Sequence, residues 1–140
     1  MYTYEYPRPM LTADCVVVRG DDVLLIRRGN EPFRGCWALP GGFMEMAETL
    51  EHCAVRELLE ETGIGVAEEA LRLVGVFSTP GRDPRGRTVT AAYAVRLPDD
   101  IKAHAGDDAA ETRWWSFNEL PPLAFDHAEI IAAAQSLPGN

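Results

Sequence analysis

The segment PGGFMEMAETLEHCAVRELLEETGI, Pro40–Ile64, decides how the rest of the chain is read. A helix over Thr49–Thr62 sets Glu57, Glu60 and Glu61 at i, i+3 and i+4, within one stripe roughly 100° wide. Like charges at that spacing destabilise an isolated helix by roughly 0.2–0.5 kcal/mol per pair, so the stripe calls for a cation. Leu50, Ala54 and Leu58 follow one another at i+4 steps on the opposite side, with Val55 and Leu59 close by, and form a face that docks on a core. Gly63 supplies the stop, and Pro40 followed by Gly41–Gly42 supplies a rigid turn ahead of the helix. The expectation is a glycine turn feeding a buried helix whose exposed edge is a row of carboxylates.

Around this segment, 140 residues suffice for one domain with a real core, and the expected organisation is a single domain over 1–140. A composition of 46% hydrophobic and 25% charged residues is ordinary for a soluble protein. A formal charge of −9 speaks against binding nucleic acid or an anionic membrane. An anionic substrate would therefore need metal ions or local arginines to bring it in. Cys15, Cys36 and Cys53 are odd in number and show no metal or redox spacing, which points to a reduced, cytoplasmic setting with Cys15 and Cys53 in the core. Met1–Pro9 lacks the pattern of a signal peptide, and no apolar run approaches a membrane span.

Thr12–Gly20 and Val23–Arg28 read as strands joined by a hairpin at Gly20–Asp22, and Cys36–Leu39 as a short apolar stretch before the glycine turn. Leu71–Pro80 and Thr88–Leu97 read as strands separated by the turn-forming GRDPRGR, Gly81–Arg87. Thr112–Phe117 is a last strand and Phe125–Leu137 a last helix. Interspersed strands and helices with hairpin-like links predict an α/β fold with a mixed sheet between helices.

The same residues carry a family signature. Gly42, Glu48, Arg56, Glu57, Leu58, Glu60, Glu61, Gly63 and Ile64 match in full the box G-x5-E-x7-R-E-U-x-E-E-x-G-U, in which U is a bulky aliphatic residue. The chain thereby resembles the Nudix hydrolases. The resemblance implies an α/β/α sandwich and metal-dependent cleavage of a nucleoside diphosphate linked to another moiety. It makes Glu57 and Glu61 the main metal ligands, with Glu60 sharing the work and the Gly41 carbonyl completing the site. Arg56 and Glu48 would hold the loop to the helix. An all-oxygen donor set suits Mg²⁺ or Mn²⁺, not zinc. An EF-hand, the other way to use many acids, needs a loop of alternating acids with a central glycine, and none is present.

Substrate lies outside the box. Pro80, sixteen residues beyond Ile64, resembles a marker of the ADP-ribose pyrophosphatases. Ser78–Tyr93, Gly106–Trp115 and Leu123–His127 resemble stretches of the same subgroup and of related regulators of NAD metabolism. Hydrolysis of ADP-ribose to AMP and ribose 5-phosphate is the leading expectation. A Nudix hydrolase for a nucleoside triphosphate, NADH or a nucleotide sugar is the rival, and a non-enzymatic ADP-ribose sensor belongs to another class. The regulators carry a C-terminal DNA-binding domain, and this sequence stops at Asn140 without a basic patch.

Arg82, Arg85 and Arg87 are candidates to clamp phosphate or ribose, with Arg82 first; the bland alternative is a solvated turn with Asp83 paired locally. Arg27 and Arg28 point to opposite faces of their strand, so one of them can reach the phosphates. Tyr93, Phe125, Phe33 and Trp37 are candidates for an adenine wall. Asp107, Asp108 and Glu111 fall in a loop suited to a base or an extra metal ligand. Asp126–His127 reads as a helix cap or core pair, with a site-lining role as the alternative. Trp114 and Trp115 alternate faces, which motivates a homodimer.

Overall fold

The computed structural model, which describes residues 3–103 and 109–138, is built on strand β1, Met10–Arg19. Thr12–Val18 is buried at every position, as expected of a strand covered on both faces. One edge of β1 runs parallel to β6, Thr88–Arg96, in register from Met10↔Thr88 to Val18↔Arg96. The other edge is shared. Its far end turns at Gly20 into β2, Asp22–Arg28, with Val18 opposite Val23, while Thr12–Asp14 pair with β4, Gly41–Phe43.

Strand β2 departs from β1 after the hairpin and pairs instead with β3, Trp37–Ala38, and β7, Ala109–Ser116. Strand β5, Arg72–Phe77, closes the far edge against β6. The result is a mixed seven-stranded sheet with the main order β3-β2-β1-β6-β5. β1 is thus forked between β2 and β4, and the fork is where the functional residues gather.

Helix α1, Leu50–Thr62, covers one face and α2, His127–Gln135, the other, so the α/β/α sandwich with its mixed sheet stands. Alternation along β1 sorts the core. Ala13, Cys15 and Val17 face Cys53, Ala54 and Leu58 of α1, whereas Val16 and Val18 face Ile130, Ile131 and Ala134 of α2. The Thr49 hydroxyl caps α1 by accepting from the His52 amide at 3.1 Å, and Gly63 ends it at φ 77°, in the left-handed region that glycine reaches without strain.

Some boundaries differ from expectation. Leu59 is 52% exposed, because Leu50, Ala54 and Leu58, joined by two i+4 steps, already fill the docking face. Helix α2 starts at His127, not Phe125, since Phe125 sits at φ 54°, outside the helical region. Asp126 precedes α2 without capping it. Trp114 and Trp115 are both part-buried. Arg19 covers Trp114, its Cζ 4.1 Å from the ring, and Trp115 packs edge-on to Trp37 at 5.1 Å. Both indoles thus keep part of their surface open, the feature from which a homodimer was inferred.

Candidate active site

Arg56 organises the carboxylates. Its Nε and Nη2 donate to the two oxygens of Glu48 at 3.0 and 2.7 Å, and its Nη1 donates to Glu57 at 2.8 Å and Glu60 at 3.2 Å. Nη2 also reaches the Phe43 carbonyl at 3.1 Å, so one guanidinium ties the turn after β4 to α1. Arg56 holds the Glu48 carboxyl well below the usual carboxylate range. Glu57 goes the other way: burial pushes it up, against the pull of Arg56 and with the help of nearby Glu60. Glu61 is buried and accepts the Gly41 amide at 2.8 Å. Glu60 is 58% exposed and stands at the rim.

The double glycine has a steric reason. A Cβ at Gly42 would lie 2.6 Å from the Glu57 carboxyl carbon, and one at Gly41 would collide with the Asp14 carboxylate and the Ala13 carbonyl. The cradle thus exists only because the backbone carries no side chain there. Among the described residues no three of His, Cys, Asp and Glu are gathered so as to hold a metal ion. The donor chemistry of Glu57, Glu60, Glu61 and the Gly41 carbonyl nevertheless fits a hard divalent ion, and the Arg56 guanidinium answers part of the charge of Glu57 and Glu60.

A cavity of about 460 Å³ opens at the fork of β1. Gly41, Arg56, Glu57 and Glu61 line it, and so do Arg82 and Phe125 among the residues expected from sequence. Arg28, Arg85, Asp14 and His127 line it as well. Of the two candidate arginines, strand alternation puts Arg28 and not Arg27 in the cavity lining. Burial, and then the like charge of Arg85, push the Arg28 guanidinium below its ordinary range, so it sits where an anion would relieve it. Both guanidiniums approach the Phe125 ring, at 5.1 and 5.4 Å. Phe33 meets the same ring edge-on at 4.9 Å, and both phenylalanines hold positive φ, which is local backbone strain at the cavity mouth.

Other expected residues are held by neighbouring acids or lie elsewhere. Arg82 lines the cavity, but its side chain is only 4% exposed, and two of its donors are taken up by Asp126 at 2.8 and 2.6 Å. Burial works against that charge, and Asp126 more than offsets it, so the pair ties the arginine turn to the start of α2. Arg85 pairs with Asp83, as the local reading of the turn had it. Arg27 is exposed on the face of β2 away from the cavity lining, its register partner on β7 being Glu111, likewise exposed. Arg87 and Pro80 are exposed at the ends of the turn and do not line the cavity.

Tyr93 is not an adenine wall. Its parity on β6 points it into the core beneath α1, where its hydroxyl donates to Glu51 at 3.1 Å. Asp107 and Asp108 lie outside the described residues. Asp14 was missed: one acid within a β-branched strand carries no local signal, and only the pairing of β1 with β4 reveals it. His127 lines the cavity and also makes a core hydrogen bond, so it meets both readings of the Asp126–His127 pair.

Comparison with known proteins agrees with this geometry. The NUDIX domain profile matches residues 8–134. An ADP-ribose pyrophosphatase of Methanocaldococcus jannaschii is 44% identical over 127 residues, covering 90% of this chain and 73% of that protein. A bifunctional NMN adenylyltransferase/ADP ribose pyrophosphatase from Francisella tularensis, solved with AMP and a Mn ion, superposes at TM-score 0.85 with 32% identity. It does so over 94% of this chain and only 42% of its own. The NUDIX domain of Shewanella oneidensis NrtR, solved with ADP ribose, superposes at 0.85 with 30% identity over 93% of this chain and 88% of its own. Box residues, sandwich and profile agree, and the chain belongs to the Nudix family.

Proposed function

We propose that the protein is a divalent-metal-dependent pyrophosphohydrolase that cleaves ADP-ribose to AMP and ribose 5-phosphate. The observation that carries this reading is that one cavity joins the acids of α1 to the guanidiniums of Arg28 and Arg85. A diphosphate needs both: arginines to draw it into a protein of charge −9, and carboxylates to hold the ion that neutralises it. Glu57, Glu61 and the Gly41 carbonyl, with Glu60 at the rim, would hold Mg²⁺ or Mn²⁺, which when bound shields the diphosphate, polarises the P–O bond and acidifies water. Arg56 keeps Glu57 and Glu60 on one side of α1 and fixes the loop through Glu48. Arg28 and Arg85 orient the diphosphate, and Phe125 offers the flat apolar surface on which a base can lie.

The similarity to two ADP-ribose pyrophosphatases supports ADP-ribose as the diphosphate that is cleaved. Three free cysteines suit a reducing cytoplasm, and no helix among the described residues is long and apolar enough to cross a membrane. A homodimer would pair through edge strand β5, where Leu73 and Val76 stand exposed, and a clean monomer in sedimentation at micromolar concentration would end that idea.

The test is a panel of ADP-ribose, NADH, nucleotide sugars and nucleoside triphosphates, with Mg²⁺ and Mn²⁺, products resolved by chromatography. AMP and ribose 5-phosphate in equal amounts are expected. Activity on a triphosphate with none on ADP-ribose would overturn the substrate, and tight ADP-ribose binding without turnover would make the protein a sensor.

A further inference from the structure

A buried acid and a buried imidazole face each other across a gap in the cavity lining. His127 is 3% exposed, and its Nδ1 accepts the Leu39 amide at 3.0 Å, which assigns the ring proton to Nε2. Asp14, 6% exposed, accepts the Thr90 hydroxyl at 2.6 Å through Oδ2. His127 Nε2 and Asp14 Oδ2 are 3.8 Å apart, too far for a hydrogen bond. Asp126, next to His127, is occupied by Arg82, so Asp14 is the acid that confronts the ring. A donor and an acceptor therefore stand side by side, both lining the cavity and not satisfying each other.

Chemistry restricts what fits between them. A phosphate oxygen would meet the Asp14 carboxylate and be repelled. A cation would meet the N–H of His127. A carbonyl would satisfy the imidazole alone. A hydroxyl satisfies both, its oxygen accepting from Nε2–H while its proton goes to Asp14. A water between them would make the same two hydrogen bonds, and a substrate hydroxyl would take its place without leaving either group unpaired.

We propose that Asp14 and His127 read a hydroxyl of the sugar beyond the diphosphate, and so select diphosphates esterified to a polyol over nucleoside triphosphates. The inference rests on the diphosphate-cleaving reading above and adds to it the part of the substrate that sets specificity. A site built to hydrogen-bond a hydroxyl discriminates strongly against an analogue that lacks it, because its own polar groups are then left unpaired.

The experiment compares kcat/KM for ADP-ribose with that for the ADP ester of tetrahydrofurfuryl alcohol, which keeps the ring and the diphosphate but has no ring hydroxyl. The wild type is expected to prefer ADP-ribose by on the order of 10- to 100-fold. In Asp14→Asn, which can still accept from Thr90, and in His127→Gln, the preference should shrink to about 3-fold or less. Equal rates of the wild type on the two esters overturn the inference without any variant needing to fold. Variants that fold, by thermal melting, yet lose the same factor on both esters show a scaffold role and also overturn it. A wild type inert toward ADP-ribose but active on a triphosphate takes down the substrate reading and this inference together, whereas brisk but undiscriminating hydrolysis takes down this inference alone.

Discussion

Glu57 and Glu61 differ in what holds them, and the difference shows what a substitution would do. Glu57 is paired with Arg56 and pushed up by burial, whereas Glu61 grips the amide of Gly41. Glu57→Gln is expected to lower turnover by several orders of magnitude with the melting temperature unchanged or raised, because it removes a ligand and relieves like-charge crowding. Glu61→Gln should lose as much activity, its amide oxygen still able to accept from Gly41. Near-normal turnover in either variant would sink the assigned metal site. Arginine offers a sharper contrast. Arg28→Gln should reduce kcat/KM by on the order of 10- to 100-fold, the worth of a charge-assisted hydrogen bond to phosphate, while Arg27→Gln one position earlier should stay within about 2-fold. Steady-state kinetics on both variants decides it, and a larger loss at Arg27 would mean that the face of β2 has been misassigned.

The glycine turn and α1 work as one element. Gly42→Ala places a methyl against the Glu57 carboxyl, whose side-chain end can swing away at little cost in stability. The expectation is a melting temperature within about 3 °C of the wild type. The Mg²⁺ concentration for half-maximal activity should rise at least about tenfold, since a swung-away carboxylate no longer holds its ligand position. A titration of activity against Mg²⁺ reads this, and an unchanged midpoint would free Glu57 from the cradle. This element was legible in the sequence because its determinants are local: helical spacing, a glycine stop and a paired Arg56–Glu48. The arginine turn was legible only in part. Its Asp83–Arg85 pair spans two residues, whereas Arg82 finds Asp126 at a separation of 44, which no spacing rule could foretell.

Across the whole molecule, the contacts that complete the cavity are long-range. Leu39 meets His127 over 88 positions and Asp14 meets Thr90 over 76, joined by a parallel β1–β6 pairing that leaves no mark in either strand alone. Hence the sequence disclosed the sandwich and the carboxylate helix but not Asp14, and it left Tyr93 among four candidate walls, since aromatic character says nothing about which face of β6 a residue occupies. The buried imidazole also shapes acid stability. Burial pushes His127 below its ordinary value near 6.5, outweighing the opposing pull of Asp14 and Asp126, while Arg82 and Arg28 push the same way as burial. The unfolded chain takes up a proton as pH falls through about 6.5 and the folded chain declines it, so this contribution is complete above that pH and is lost below it. Between pH 6.5 and 5, wild-type stability should fall more steeply than that of His127→Gln, by up to about 1.4 kcal/mol per pH unit, measured by urea denaturation. Parallel slopes would mean that the ring is not held neutral by the fold. A last consequence follows from Arg56, whose guanidinium already answers Glu48, Glu57 and Glu60. With that charge supplied from within, folding and loading are separate events. Chelation should abolish turnover yet move the melting point by no more than about 3 °C. A chain made where divalent ions are scarce would then wait intact and idle, so that the surrounding ion supply governs how fast the protein works and not how much of it survives.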